Sequence, residues 1–236
     1  MSDYPRATIT LDQQLALQTS AERLAREFEG VYGPETIERF LHSSYDEFAG
    51  NATVLNFLPL LAERFARQRL NALARVEGKH DDGKPVVLFL CVHNAGRSQM
   101  ALGFFERYAA DNAVAWSGGS EPGIQLNPSA IAAMKERGID ISGEFPKPWT
   151  DEVVRAADVV ITMGCGDACP IFPGKRYEEW DLDDPDGKDI ASVRPVRDEI
   201  ERRVLALLEE LNIPVRVGET PAGALPAGAL PSGTLT

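Results

Sequence analysis

The run Val86–Cys91, reading VVLFLC, constrains this 236-residue sequence more than any other segment. It is an unbroken apolar stretch of strand length, and a strand apolar on both faces belongs between two covering layers, as in a parallel sheet sandwiched by helices. The chain beyond it keeps to that plan. A helical stretch from about Ser98 to Ala110 leads to the run AVAWSGG, and a second helix follows Asn127-Pro128. Next come a short helix near Asp151 to Ala156, the run DVVITMG, the segment KRYEEWDL and a long final helix from about Ser192 to Leu211. Such alternation predicts an α/β domain over residues 86–212, a four-stranded parallel sheet with helices on both faces. Ligands of such sheets bind at the carboxyl ends of the strands, which directs attention to the loop after Cys91.

Residues 1–78 read differently. Leu17, Ala21, Leu24, Phe28 and Val31 recur at helical spacing, behind a capping-box pair, Thr10 and Gln13. Gly30 to Pro34 reads as a stop and restart, with Pro34 suited to a first helical turn. Ile37, Phe40, Leu41, Tyr45 and Phe48 mark a second helix, and Leu58, Leu61, Phe65, Ala72 and Leu73 a third. The expectation is a small three-helix bundle with a structural or dimer-forming role, since a lone His42 makes no ligand cluster. Arg64, Arg67, Arg69 and Arg75 are expected to form a solvated helix surface. Residues 79–85 are polar and rich in glycine and proline, and read as a linker. Residues 213–236 contain PAGAL, PAGAL and PSGTL in succession, a composition that cannot bury enough surface to offset its ordering entropy, so a disordered tail is expected.

Composition narrows the function classes. Asp and Glu number 36 against 24 Lys and Arg, a formal charge of −12 that opposes the counterion release behind most nucleic-acid binding. No apolar stretch reaches the ~18 residues of a membrane span, and MSDYPRATIT does not read as a signal peptide, so cytoplasm is the expected compartment. In that compartment three cysteines point to redox or catalytic use rather than structural disulfides.

Cys91 ends the apolar strand and is followed by Val92, His93, Asn94, Ala95, Gly96, Arg97 and Ser98, after which a helix begins. Five residues between Cys91 and Arg97 let the backbone curl with its N–H groups inward, while the helix adds its positive end at the same point. That cradle suits a tetrahedral oxyanion. Arg97 offers a planar fork for two oxygens, Gly96 permits close approach, and Asn94 tolerates a left-handed backbone. The same field, with a hydroxyl from Ser98, stabilises a thiolate and makes Cys91 a nucleophile. A cysteine six places before an arginine is weak evidence alone, a buried strand cysteine being the plain alternative. The surrounding strand, serine and helix give it weight. His93 has a space-filling reading beside a catalytic one.

Two further features complete the set. In WDLDDPDG, residues 180–187, Asp184 precedes a proline and is the candidate proton donor for a departing oxygen, with Asp181, Asp183 and Asp186 as bystanders. Cys165 and Cys169 follow the strand DVVITMG, at the same sheet edge as the Cys91 loop. In a helical turn their Cα atoms would lie about 6 Å apart, within disulfide range. Zinc ligation, short of four ligands, and two ordinary thiols are the competing readings. A thiol nucleophile with a resolving pair implies two-electron chemistry, which phosphate cannot accept and arsenate can.

The segments CVHNAGRSQM, ITMGCGDACP and WDLDDPDG resemble arsenate reductases built on the low-molecular-weight tyrosine phosphatase fold, over about Pro85 to Leu211. The first 78 residues are similar, more loosely, to the N-terminal bundle of actinobacterial members. Sister phosphatases have Ser-Pro after the loop arginine and tyrosines after the Asp-Pro pair; Ser98-Gln99 and Asp186-Gly187 stand here and favour the reductase. The resemblance implies attack of Cys91 on arsenic, anion binding by residues 92–98, and proton donation by Asp184. It further implies a relay through Cys165 to a Cys165–Cys169 disulfide that thioredoxin reduces, with no bound cofactor or metal. The close spacing of Cys165 and Cys169 keeps open a mycothiol transferase served by mycoredoxin, and a phosphatase needing only Cys91, Arg97 and Asp184 is the other alternative. A homodimer through the bundle is also implied.

Overall fold

The computed structural model describes residues 9–49, 57–79, 82–164 and 171–216. Three helices come first: α1 (Leu11–Glu27), α2 (Pro34–Ala49) and α3 (Leu58–Val76). Thr10 and Gln13 close the expected capping box on α1, and Pro34 opens α2. Leu17, Leu24, Phe28, Ile37, Leu41, Leu58 and Leu70 meet in a common core, so each helix buries one stripe against the other two.

The second unit contains β1 (Val86–Cys91), α4 (Arg97–Ala109), β2 (Val114–Gly119), α5 (Pro128–Lys135), α6 (Asp151–Ala156), β3 (Val159–Met163), β4 (Arg176–Glu179) and α7 (Ile190–Glu210). All strand pairs are parallel, in the order β2-β1-β3-β4. Every residue of β1 is buried. Val87, Phe89 and Cys91 face the core shared with α4, α5 and α7, whereas Val86, Leu88 and Leu90 face Val153 and Val154 of α6 and Ala72 of α3. The bundle therefore covers part of one sheet face. From β1 the chain crosses to β2 on one side and later to β3 on the other, and this divergence opens a crevice at the carboxyl end of β1, beside Cys91.

Two expectations need correction. Residues 213–216 do not belong with the tail: Ile213 is buried in the sheet-domain core, the Arg216 amide donates to Tyr108 O at 2.8 Å and the Asn112 side chain to Pro214 O. Ile213 and these two hydrogen bonds dock residues 213–216 on the sheet domain. Residues 217–236 lie outside the described residues. Nor is the arginine row of α3 a solvated face. Arg64 binds Glu144, Arg69 binds Glu152, and Arg75 binds Asp158, all in the sheet domain, while Arg67 pairs with Glu27 and Glu63 inside the bundle. The stems of Arg64 and Arg69 carry their guanidinium groups over the rings of Phe145, Phe40 and Phe65.

Candidate active site

Cys91 is a buried free thiol at the end of β1. Its Sγ accepts the Asn94 amide at 3.2 Å and lies 3.0 Å from Ser98 Oγ. The direction of the second bond follows from the neighbours. The backbone amide of Lys147 donates to Asn94 at 3.0 Å, so the Asn94 atom facing it is Oδ1; Gln99 Nε2 donates to the same oxygen. The Asn94 Nδ2 group is thereby turned on Ser98 Oγ, at 2.8 Å, which must accept. The serine proton is left for the sulfur. Two donors are therefore aimed at Sγ. Asn94 holds φ +47°, the left-handed conformation that its short polar side chain tolerates.

Arg97 is the first residue of α4 and is itself buried, with Nη2 on Asp184 Oδ2 at 2.8 Å and Nη1 near Leu182 O. Gly164, at φ +74°, leaves room for it: a Cβ there would stand 2.9 Å from Arg97 Nη1. The loop that carries Asp184 is anchored from behind, where buried Trp180 meets Phe89 and its amide donates to Thr162 O. Pro185 closes over Gly96, where a Cβ would approach Pro185 Cγ to 2.8 Å.

The result is a cavity of about 20 Å³ lined by Cys91, His93, Ala95, Gly96, Arg97, Asn127, Asp184, Pro185 and Asp186. The structure thus brings Cys91, Arg97 and Asp184 together, with His93, Ala95 and Gly96 on the wall. Asn94 and Ser98 lie beneath, fully buried, and Val92 contributes its carbonyl to the Glu121 amide. Cys165 and Cys169 lie outside the described residues.

Three residues that the sequence did not mark as site residues hold the two loops in place. Asn127 caps α5 through Oδ1 on the Ala130 amide, takes Ala95 O with its own amide, and donates Nδ2 to Pro185 O at 2.9 Å, so it ties the loop after Cys91 to the loop that carries Asp184. Its place before Pro128 announced the cap, but nothing announced the tie. Gln99 donates to Asn94 O, Asn94 Oδ1 and Phe145 O. Lys147 serves the loop through its amide, while its side chain is buried against Phe145 and Glu144. Burial pushes that ammonium below the ordinary lysine range, and Glu144 acts in the opposite sense.

Residues 86–216 match the family described as low molecular weight phosphotyrosine protein phosphatase. The chain belongs to this phosphatase family. Residues 17–74 match the protein-tyrosine-phosphatase-like N-terminal domain, which accounts for the bundle in front of the phosphatase-like domain. Within the family the chain is similar to a solved structure, the Corynebacterium glutamicum thioredoxin-dependent arsenate reductase Cg_ArsC1'. Identity is 44%, coverage is 86% of this chain and 98% of that one, and the TM-score is 0.77. Arsenate reductase 1 of Staphylococcus epidermidis is 41% identical over 125 residues, covering 51% of this chain and 93% of the relative. The arsenate reductase of Bacillus subtilis is 39% identical over 134 residues, covering 52% of this chain and 95% of the relative. Both short relatives account for about half the chain, whereas the Corynebacterium protein extends over bundle and sheet alike. No helix among the described residues is long and apolar enough to cross a membrane.

Proposed function

We propose that this member of the family is an arsenate reductase that uses Cys91 as its nucleophile and passes the resulting disulfide to Cys165 and Cys169 for reduction by thioredoxin. The observation that carries the reading is the Cys91 sulfur, held by two donors and sharing one open cavity with Arg97 and Asp184. Among the described residues, those lining the cavity include no phenyl or indole ring to stack on an aryl phosphate. The similarity to the thioredoxin-dependent reductase across both domains supports it further.

Arsenate entering the cradle exchanges one ion pair for another: Arg97 turns its fork from Asp184 to the oxyanion, joined by the loop amides and the amino end of α4. Asp184, released by Arg97, takes a proton from the incoming dihydrogen arsenate; the Cys91 thiolate attacks arsenic, an As–O bond breaks, and Asp184 returns that proton to the departing oxygen, which leaves as water. Cys165 as a thiolate then attacks Cys91 Sγ. The S–As electron pair passes to arsenic, which departs as trivalent arsenite, and a Cys91–Cys165 disulfide remains. Cys169 displaces Cys91 from Cys165, restoring the Cys91 thiolate, and thioredoxin reduces the Cys165–Cys169 bond.

Peptide mass analysis after a single arsenate turnover tests the sequence of steps. A Cys165–Cys169 disulfide is expected. A mixed disulfide or a stable adduct on Cys91 replaces the internal relay with an external thiol such as mycothiol. Aryl phosphate hydrolysis without arsenate turnover replaces the reductase with a phosphatase.

A further inference from the structure

Residues 143–149 carry no regular secondary structure beyond one bridge of Pro148 to Gly119, yet they lie between the bundle and the Cys91 loop and bond to both. On the bundle side, Arg64 Nη1 donates to Gly143 O at 2.6 Å and Nη2 to Glu144 Oε1 at 2.8 Å. The Arg64 guanidinium also stands over the Phe145 ring at 4.8 Å, and Phe48 of α2 meets that ring edge-on at 5.6 Å. On the loop side, Phe145 O accepts Gln99 Nε2 and the Lys147 amide donates to Asn94 Oδ1. Those are the bonds that set the Asn94 amide and, through it, the Ser98 proton.

Among the described residues, the other ion pairs between the units do not reach the Cys91 loop. Arg69 holds Glu152 on α6, and Arg75 holds Asp158, which also caps the Val86 amide at the far end of β1. Gly119 at the end of β2 grips the far end of the segment, its amide donating to Lys147 O and its carbonyl accepting from the Trp149 amide, so residues 143–145 depend on the bundle and on Gln99 for their place, and buried Phe145 would lose apolar cover without Phe48 and Arg64.

We propose that the N-terminal bundle positions the nucleophile: Arg64 and Phe48 clamp residues 143–147, and this strap holds Asn94 and Gln99 in the arrangement that directs two donors at the Cys91 sulfur. Arg64 and Phe48 are positioning residues, and the proposal rests on Cys91 being the nucleophile of an anion cradle.

Full-length Arg64→Ala, Phe48→Leu, Arg64→Lys and Arg67→Ala proteins test it. The readouts are the pH midpoint of iodoacetamide alkylation at Cys91, followed by peptide mass, the dissociation constant for inorganic phosphate, and the thermal midpoint. Loosening the strap in Arg64→Ala or Phe48→Leu should raise the alkylation midpoint by about one pH unit and weaken phosphate about tenfold. Arg64→Lys, which restores a cation and one donor, should recover part of both. Arg67→Ala, confined to ion pairs inside the bundle, should lower the thermal midpoint and leave both site readouts alone. If Arg64→Ala does not fold, Phe48→Leu decides, because it keeps the Arg64 bonds. Folded Arg64→Ala and Phe48→Leu proteins with wild-type midpoint and phosphate affinity overturn the coupling while leaving the site intact. A wild-type protein whose Cys91 titrates as a free cysteine and gains no protection from phosphate overturns the site, and the coupling with it.

Discussion

Asn94→Asp exchanges one NH₂ group for an oxygen at the centre of the loop after Cys91. Its Oδ1 still accepts from the Lys147 amide and Gln99 Nε2, and aspartate tolerates φ +47° much as asparagine does. The atom facing Ser98, however, no longer donates. Ser98 must then give its proton to the new carboxylate and withdraw it from Cys91 Sγ, 3.0 Å away. A hydrogen bond to a charged group is worth about 1.5–3 kcal/mol. The added charge sits two hydrogen bonds from the sulfur, roughly 6 Å, where at an effective dielectric of about 20 it opposes a thiolate by about 3 kcal/mol. At 1.4 kcal/mol per unit, even a third of the combined effect raises the alkylation midpoint of Cys91 by about one pH unit. Peptide-resolved alkylation across pH, with circular dichroism to confirm folding, measures it. A folded Asn94→Asp protein whose midpoint lies within a few tenths of wild type refutes the inferred path from Lys147 through Asn94 and Ser98 to the sulfur.

Three other outcomes follow from contacts elsewhere. Asn127→Ser keeps a cap for α5 but is too short to reach Pro185 O, so kcat for arsenate should fall about tenfold with phosphate affinity nearly unchanged; equal loss in both would mean that Asn127 shapes the loop after Cys91 instead. Arg69→Ala strands the largely buried Glu152 carboxylate and uncovers two phenyl faces, which should cost about 3 kcal/mol in urea unfolding, and a change under ~0.5 kcal/mol would show the pair to be solvated. Burial alone would raise the Glu63 carboxyl, but hydrogen bonds from Arg23, Ser20 and Arg67 bring it down to about 2. Its folded value is thus depressed, so its contribution is complete above about pH 4.5 and disappears as pH falls toward 2. Allowing for solvent around the half-exposed Arg23, that is about 2 kcal/mol, and Glu63→Gln should flatten the acid limb of an unfolding titration in that window.

What could be read without coordinates was local. The strand and the Cys-x5-Arg-Ser loop lie within thirteen consecutive residues with a helix directly beyond, and Asn94 carries its left-handed tolerance in its own side chain, so the cradle was legible from VVLFLCVHNAGRS and the helical pattern that follows it. The alternation of apolar runs and helices likewise specified a parallel sheet, because period and polarity are properties of a segment by itself. The partners of Asn127, Arg64 and Asn94 were not legible. Pro185 is 58 residues from Asn127, Gly143 is 79 from Arg64, and Lys147 is 53 from Asn94. Lys147, moreover, acts there through a main-chain amide that nearly every residue possesses. The arginine row of α3 failed for a related reason: helical periodicity separates an apolar stripe from a polar face, but an arginine with its stem on a ring and its fork on another domain has the same spacing as one in water. Only the docking of bundle on sheet distinguishes the two, since it alone decides which polar face loses its solvent.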